Sequence, residues 1–338
     1  MDLEPSEEQA MLRDMVRRFL ERRQDMASMG RGPISNEDWW ALADLGLFAF
    51  LLSERAGGTG GRSQDAAIVA EELGRAMAIT PLAESVLLCA ALIGRCGTAE
   101  QIAQWVQPVV QGEAILAYAA GDGLRHEGAS LHGQAHIVRY GMDASAFVIA
   151  LPERQGAVLM SAEAAGLSRT PVRLADGTIA AELRFDSVAV EALDVTAADL
   201  DAAITDAELA TIAEMVGTMT TLYGQTVEYV QQRRQFGAPI GSFQVVQHRV
   251  ARLFVILEQA RSMMLKAALV EDGDRARTVT AAKAYVADAA LRLAQDATQL
   301  HGGIGVTDEL PIGRGHRRLL VLSHLFGGAL AARARLAA

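Results

Sequence analysis

Arg233-Arg234-Gln235-Phe236-Gly237 and Gln299-Leu300-His301-Gly302-Gly303-Ile304-Gly305 are the two stretches on which the fold of this chain turns. The first puts an arginine at the close of a long helical pattern and runs into the turn Gly237-Ala238-Pro239-Ile240-Gly241. The second sets a glycine pair after another helical pattern. Guanidinium groups and side-chain-free backbone amides are what a protein offers to a pyrophosphate and an adenine. Either run alone is ordinary helix-end punctuation, so the weight lies in finding both in one helical region.

That region starts near Asp201. Leu209, Ile212, Val216, Met219, Tyr223 and Val230 form one apolar stripe, and Phe243, Val246, Val250, Leu253, Leu257, Ala260 and Met264 a second. Their spacing of threes and fours predicts long helices packed nearly antiparallel in a bundle. Alanine-rich helices are predicted over about 279–300 and 310–335. Met215, Met219, Met263 and Met264 are expected to fill core.

Residues 113 to about 200 differ. Ile115–Tyr118, His136–Tyr140, Ala146–Leu151, Ala157–Met160 and Glu182–Phe185 are short apolar runs separated by Gly, Asp and Pro. They predict a small antiparallel barrel or sandwich. His126, His132 and His136 lie here without a zinc-like spacing. Residues 1–112 return to helix, with Ser6 and Gln9 placed as a capping pair and Leu12, Met15, Val16, Phe19 and Leu20 as the apolar face. Ala56-Gly57-Gly58-Thr59-Gly60-Gly61 is expected to be a connector, since neither a preceding strand nor a following Lys-Ser/Thr makes it a nucleotide loop. The fold expected is therefore α+β: an N-terminal helical domain over 1–112, a middle β domain over 113–200, and a C-terminal four-helix bundle over 201–338.

With 338 residues there is room for a large core, and the net charge of -10 with no basic stripe excludes a nucleic-acid partner. No uninterrupted apolar stretch reaches the ~18 residues of a membrane span, and the acidic start Met1–Glu8 lacks signal-peptide architecture, so a cytoplasmic location is expected. In such a compartment Cys89 and Cys96 read as small core residues.

In this order the motifs resemble the acyl-CoA dehydrogenase flavoproteins along essentially the whole chain. Glu7-Glu8-Gln9, Leu45-Gly46-Leu47, Gly57–Gly61, Val69–Arg75 and Ile240–Gln244 join the two runs quoted first. The resemblance implies FAD bound across a subunit interface. Arg233, Gln235, Phe236, Gln244, Gln299, Gly302 and Gly303 take the positions that hold the pyrophosphate and adenine of a neighbour's cofactor. The half that holds the flavin ring departs from the family. Tyr118-Ala119-Ala120-Gly121-Asp122-Gly123 stands where a Thr/Ser-Glu-Pro segment is usual, and Ala135–Arg139 where Trp-Ile-Thr/Ser-Asn is usual.

The family's catalytic glutamate falls 23 positions past Gly303, where this chain has Phe326, followed by Gly327-Gly328 in place of Gly-Thr. Some members carry the base earlier, at the position of Ala207. Glu208 is adjacent, but one residue turns a side chain by ~100°. Glu208 borders the apolar stripe and is a candidate base; Glu214, on the opposite side, is another. Otherwise both are expected on solvated surface, and Phe326 is expected to be buried. No catalytic residue is therefore assigned. The resemblance is to the short, degenerate subunits that pair with a full-length paralogue in α2β2 heterotetramers, a type found in bacterial steroid side-chain degradation. The expected activity is α,β-dehydrogenation of an acyl-CoA bound mainly by the partner, with the isolated chain inactive. The alternatives are a self-sufficient homotetramer using Glu208, or a flavin-free scaffold.

Overall fold

The computed structural model describes residues 5–23, 28–121, 123–152, 156–270 and 273–337. The expected Met1–Glu4 start and Asp122 lie outside these. Element types run helix, strand, helix. The helices α1 (Glu7–Arg23), α2 (Asn36–Asp44), α3 (Leu47–Leu51) and α4 (Ser63–Arg75) come first. A π-helical segment, Leu82–Ala90, then leads into α5 (Ala91–Cys96), α6 (Ala99–Gln101) and α7 (Gln107–Val110). Eight strands follow: β1 (Leu116–Ala120), β2 (Arg125–Glu127), β3 (Ser130–Arg139), β4 (Ala146–Ala150), β5 (Ala157–Ser161), β6 (Leu167–Arg173), β7 (Ile179–Ala189) and β8 (Glu191–Leu193). The last part holds α8 (Ala197–Gln232), the ribbon β9 (Arg234–Gln235) and β10 (Ala238–Pro239), then α9 (Gln244–Leu269), α10 (Arg275–His301), α11 (Pro311–His324) and α12 (Gly328–Ala337).

These elements form two compact units that do not follow chain order. The first takes Met1–Pro33, Ser63–Ile79 and Glu208–Ala338, the second Ile34–Arg62 and Thr80–Ala207. In the first, Ser6 and Gln9 cap α1 reciprocally: Gln9 N donates to Ser6 Oγ at 3.2 Å and Ser6 N to Gln9 Oε1 at 3.1 Å. α1 packs on α4, and α10 lies against α9, α11 and α12. α4 and α8 cross backbone to backbone. A Cβ on Gly74 would stand 2.1 Å from the Glu214 carbonyl, and one on Gly217 2.0 Å from the Glu71 carbonyl, so both positions require glycine. Met215, Met219 and Met264 are buried as expected, whereas Met263 is only half-buried.

The predicted last helix is in fact two. α11 ends at Leu325-Phe326-Gly327, and Phe326, Gly327 and Gly328 all have positive φ (55°, 89° and 68°). By length and composition Pro311–Ala337 could cross a membrane. The break, and the burial of Arg314 and Arg318 within it, are instead the marks of bundle helices.

The second unit carries two four-stranded sheets, ordered β1-β4-β5-β8 and β2-β3-β7-β6. All pairings are antiparallel except β1 with β4, which run parallel. β4, Ala-Phe-Val-Ile-Ala, lies between two neighbours and is buried at all five positions. One hydrophobic cluster joins Phe147, Ile149 and Val158 of the first sheet to Leu131, Leu183 and Phe185 of the second. Gly57 and Gly60 sit in the expected connector at φ 84° and 81°. Cys89 is buried, its thiol pushed well up by loss of solvent, while Cys96 is half-buried; both are free.

Candidate functional site

The first unit gathers the two runs at one end. Tyr229, on the last turns of α8, stacks on His301 at the end of α10, with ring centroids 4.3 Å apart and planes at 26°. Tyr229 Oη also donates to the His301 carbonyl at 3.3 Å. His301 is buried and donates from Nδ1 to the Ala297 carbonyl at 2.8 Å. Burial holds this imidazole below its ordinary pKa, against the opposing pull of that hydrogen bond. Arg233 lies four residues, one turn, past Tyr229, and Gly302 directly follows His301. The stack thus fixes the arginine run and the glycine pair to one another, a role in His301 and Tyr229 that the sequence did not suggest.

Beyond Arg233 the chain makes a two-residue hairpin. Gln235 pairs with Ala238 and Arg234 with Pro239, so Phe236 and Gly237 form the loop, both with positive φ (53° and 82°). This backbone normally takes Asn-Gly. A phenylalanine here is strained, and its ring is 93% exposed, held only edge-on against Phe243 at 6.3 Å. Ile240 N closes the hairpin on the Arg233 carbonyl at 2.8 Å, and Gln244 opens α9 on the surface. Arg233, Gln235, Gln299, Gly302 and Gly303 are likewise exposed, and the space above each of the two glycines is open to 4 Å. An exposed guanidinium beside bare backbone at a helix end fits a pyrophosphate.

The second unit presents a different chemistry where ring contacts are expected. β3 is irregular between Ala135 and Val138, and Ile137 and Tyr140 have φ of 52° and 56°. Arg139, at the end of the segment where the family carries a hydroxyl, turns its side chain inward. Its Nη1 pairs with Glu84 at 2.6 Å, its Nη2 donates to Tyr140 Oη at 2.9 Å, and that hydroxyl donates to the Thr80 carbonyl at 2.6 Å. All four residues are buried. Gly121 is pressed against the Gln134 carbonyl, where a Cβ would sit at 2.6 Å. These residues do not fit a flavin ring: Ala135–Arg139 offers neither an indole nor a hydroxyl, and its guanidinium is spent internally.

The candidate bases correct the sequence reading. Glu208 is not on solvated surface; it is 1% exposed, and its Oε1 meets Arg335 Nη2 of α12 at 2.6 Å. Glu214 is likewise drawn in, bound by Arg318 Nε at 2.7 Å and Nη2 at 2.6 Å, with Arg318 1% exposed. Ala207 is buried. Phe326, expected to be buried, is half-buried at the break between α11 and α12. Beneath that break the buried Lys283 donates from Nζ to the Leu322 carbonyl at 2.9 Å, a cation at a helix C-terminus. His126 and His136 are exposed on strands, His136 pairing with Glu182, and no cluster of potential metal ligands occurs among the described residues.

Residues 6–113 match the model of the acyl-CoA dehydrogenase N-terminal domain, and residues 201–337 that of the C-terminal domain. The chain is 32% identical over 311 residues to the acyl-CoA dehydrogenase IpdE2 of Mycobacterium tuberculosis, covering 90% of this chain and 88% of that protein. Its fold is similar to a chain of the ChsE4-ChsE5 complex from Mycobacterium tuberculosis, with a TM-score of 0.88 at 26% identity, covering 100% of this chain and 98% of that one. A variant of the Tcur3481-Tcur3483 steroid ACAD gives a TM-score of 0.84 at 28% identity, covering 98% and 97%. The relatives in this family are FAD-dependent flavoproteins.

Proposed function

The chain belongs to the acyl-CoA dehydrogenase family, and we propose that within it the protein is the non-catalytic subunit of a heterotetramer with a full-length paralogue. Its part is the pyrophosphate and adenine half of each FAD site, through Arg233, Gln235, Phe236, Gln244, Gln299, Gly302 and Gly303. The partner contributes the base, the ring contacts and most of the acyl-CoA pocket. The observation that carries this reading is the asymmetry within one chain. The arginine and glycine runs are exposed and joined by the Tyr229–His301 stack, whereas Arg139 is buried against Glu84.

The family reaction removes an α-proton from an acyl thioester, and bound FAD supplies the hydride acceptor. A positioned carboxylate must take the proton. Phe326 cannot, and Glu208, held by Arg335, is a structural ion pair; this disfavours a self-sufficient homotetramer. The kinship with a steroid ACAD and with a two-component complex supports a bulky acyl-CoA as the substrate class and a paralogue as the partner.

Co-expression with the paralogous subunit tests the proposal. The complex should carry two FAD per four chains and the lone chain little FAD and no activity. A lone chain with stoichiometric FAD that bleaches on addition of an acyl-CoA would sink the proposal.

A further inference from the structure

A cleft of about 380 Å³ opens on the first unit between α1, α4 and α8. None of its residues belongs to the two runs or to the base positions. Its floor is Glu72, 3% exposed, on which three guanidiniums converge. Arg17 binds it with Nε at 3.0 Å and Nη2 at 2.8 Å, while Arg75 Nε and Arg13 Nε stand 3.8 and 3.9 Å away. Glu21, exposed on the lining, and the buried Glu71, which also acts on Arg13 and Arg75, balance these guanidiniums, so what the cleft offers an anion is donor groups rather than an excess of charge.

The two lining arginines are held in place but not used up. Arg17 spends two nitrogens on Glu72 and keeps its third. Among the described residues neither terminal nitrogen of Arg75 has a hydrogen-bond partner, and both side chains are more than a third exposed. The backbone of Arg75 is fixed by Thr221 Oγ1, which donates to its carbonyl at 2.6 Å, and by the Gly74–Gly217 crossing just before it. Leu20, Met29 and Ala76 supply an apolar wall beside this donor pair. Two guanidiniums on one cleft, next to apolar surface, match an anionic head on a hydrocarbon stem.

We infer that this cleft binds a small organic anion, a carboxylate or phosphate monoester with a short apolar stem, its head on Arg17 and Arg75 and its stem on Leu20, Met29 and Ala76. The site stands apart from the proposed FAD half-site and does not depend on it.

The test uses the full chain carrying carbon-13 methyl methionine, because Met29 lines the cleft while Met264 lies in the bundle core. Hexanoate, hexyl phosphate, inorganic phosphate and hexanol are titrated separately. Hexanoate or hexyl phosphate should move the Met29 methyl saturably and leave Met264 still; which of the two binds more tightly identifies the head. Arg75→Gln should weaken that binding about tenfold or more, since it removes a charged donor. Ala76→Leu, which fills the apolar wall and keeps every charge, should abolish the response, and carries the test if the Arg75 variant does not fold. The inference fails if hexanol matches the anions, if inorganic phosphate matches hexyl phosphate, if Arg75→Gln binds as the parent does, or if no anion moves Met29.

Discussion

Two arginines, at 233 and 335, stand in opposite settings. Arg233 is exposed at the end of α8 with its backbone bonded on both sides, and it is the proposed pyrophosphate contact. Arg233→Ala removes a charge-assisted bond of ~1.5–3 kcal/mol, roughly a tenfold to hundredfold loss of FAD affinity in the assembled complex. Equilibrium dialysis of the complex against buffer reads this as faster loss of flavin, and unchanged retention would remove the arginine from the proposed site. Arg335 does the opposite work, closing a carboxylate off. Arg335→Met strands Glu208 without its partner in a buried position and should cost about 3 kcal/mol in urea unfolding, the low end for a broken buried pair because Arg335 is itself partly exposed. The double variant with Glu208→Gln should recover much of that. Glu208→Gln in the complex should leave turnover intact; a loss of turnover without a loss of stability would make Glu208 a base after all.

At the scale of elements, the junction of α8 with α10 should respond to pH. His301 is kept below its ordinary pKa chiefly by burial, and His316 on α11 also by burial, with Arg317 adding to the effect. Above the ordinary imidazole value of about 6.5 both states of the chain are neutral at these positions and the stability is fully present. Below it the unfolded chain takes up protons first, so stability falls as pH drops toward the folded-state values, by at most about 1.4 kcal/mol per pH unit for each group. Unfolding free energies measured from pH 7 down to 5 should decline. His301→Phe, which keeps a ring on Tyr229, should flatten part of the slope; an unchanged slope would mean that His301 titrates as a free imidazole. The helices themselves were legible, because periodicity and capping are local: Ser6 with Gln9, and the stripes of α8 and α9, stand where the spacing put them. The break at Leu325–Gly327 was not foreseen, although Gly327-Gly328 inside an apolar pattern was a usable signal. The pairing of Arg335 with Glu208, 127 residues apart, left no local trace at all.

At the scale of the whole molecule, the order of helices, strands and helices could be read along the chain, but the two compact units could not. α4 joins the bundle while the segments on either side of it join the sheets, alongside a close backbone crossing with α8 at Gly74 and Gly217 that spacing alone does not reveal. The same holds for the candidate site: the arginine and glycine runs could be read along the chain, while the inward turn of Arg139 could not. That turn decides what restoring the base can achieve. Phe326 is half-buried rather than sealed in, and its left-handed backbone is no more hostile to glutamate than to phenylalanine. Phe326→Glu should therefore fold with a change within roughly 1 kcal/mol, as a partly exposed substitution does. It should still fail to turn over an acyl-CoA alone. A restored carboxylate does not supply the missing ring contacts: Arg139 is committed to Glu84 and Tyr140, and Ala135–Arg139 offers no indole or hydroxyl to a flavin ring. The measurement is reduction of a ferricenium-type acceptor by the lone variant in the presence of an acyl-CoA and added FAD. Turnover there would mean that the β sheets still hold the ring productively, and that the partner is needed for something other than chemistry.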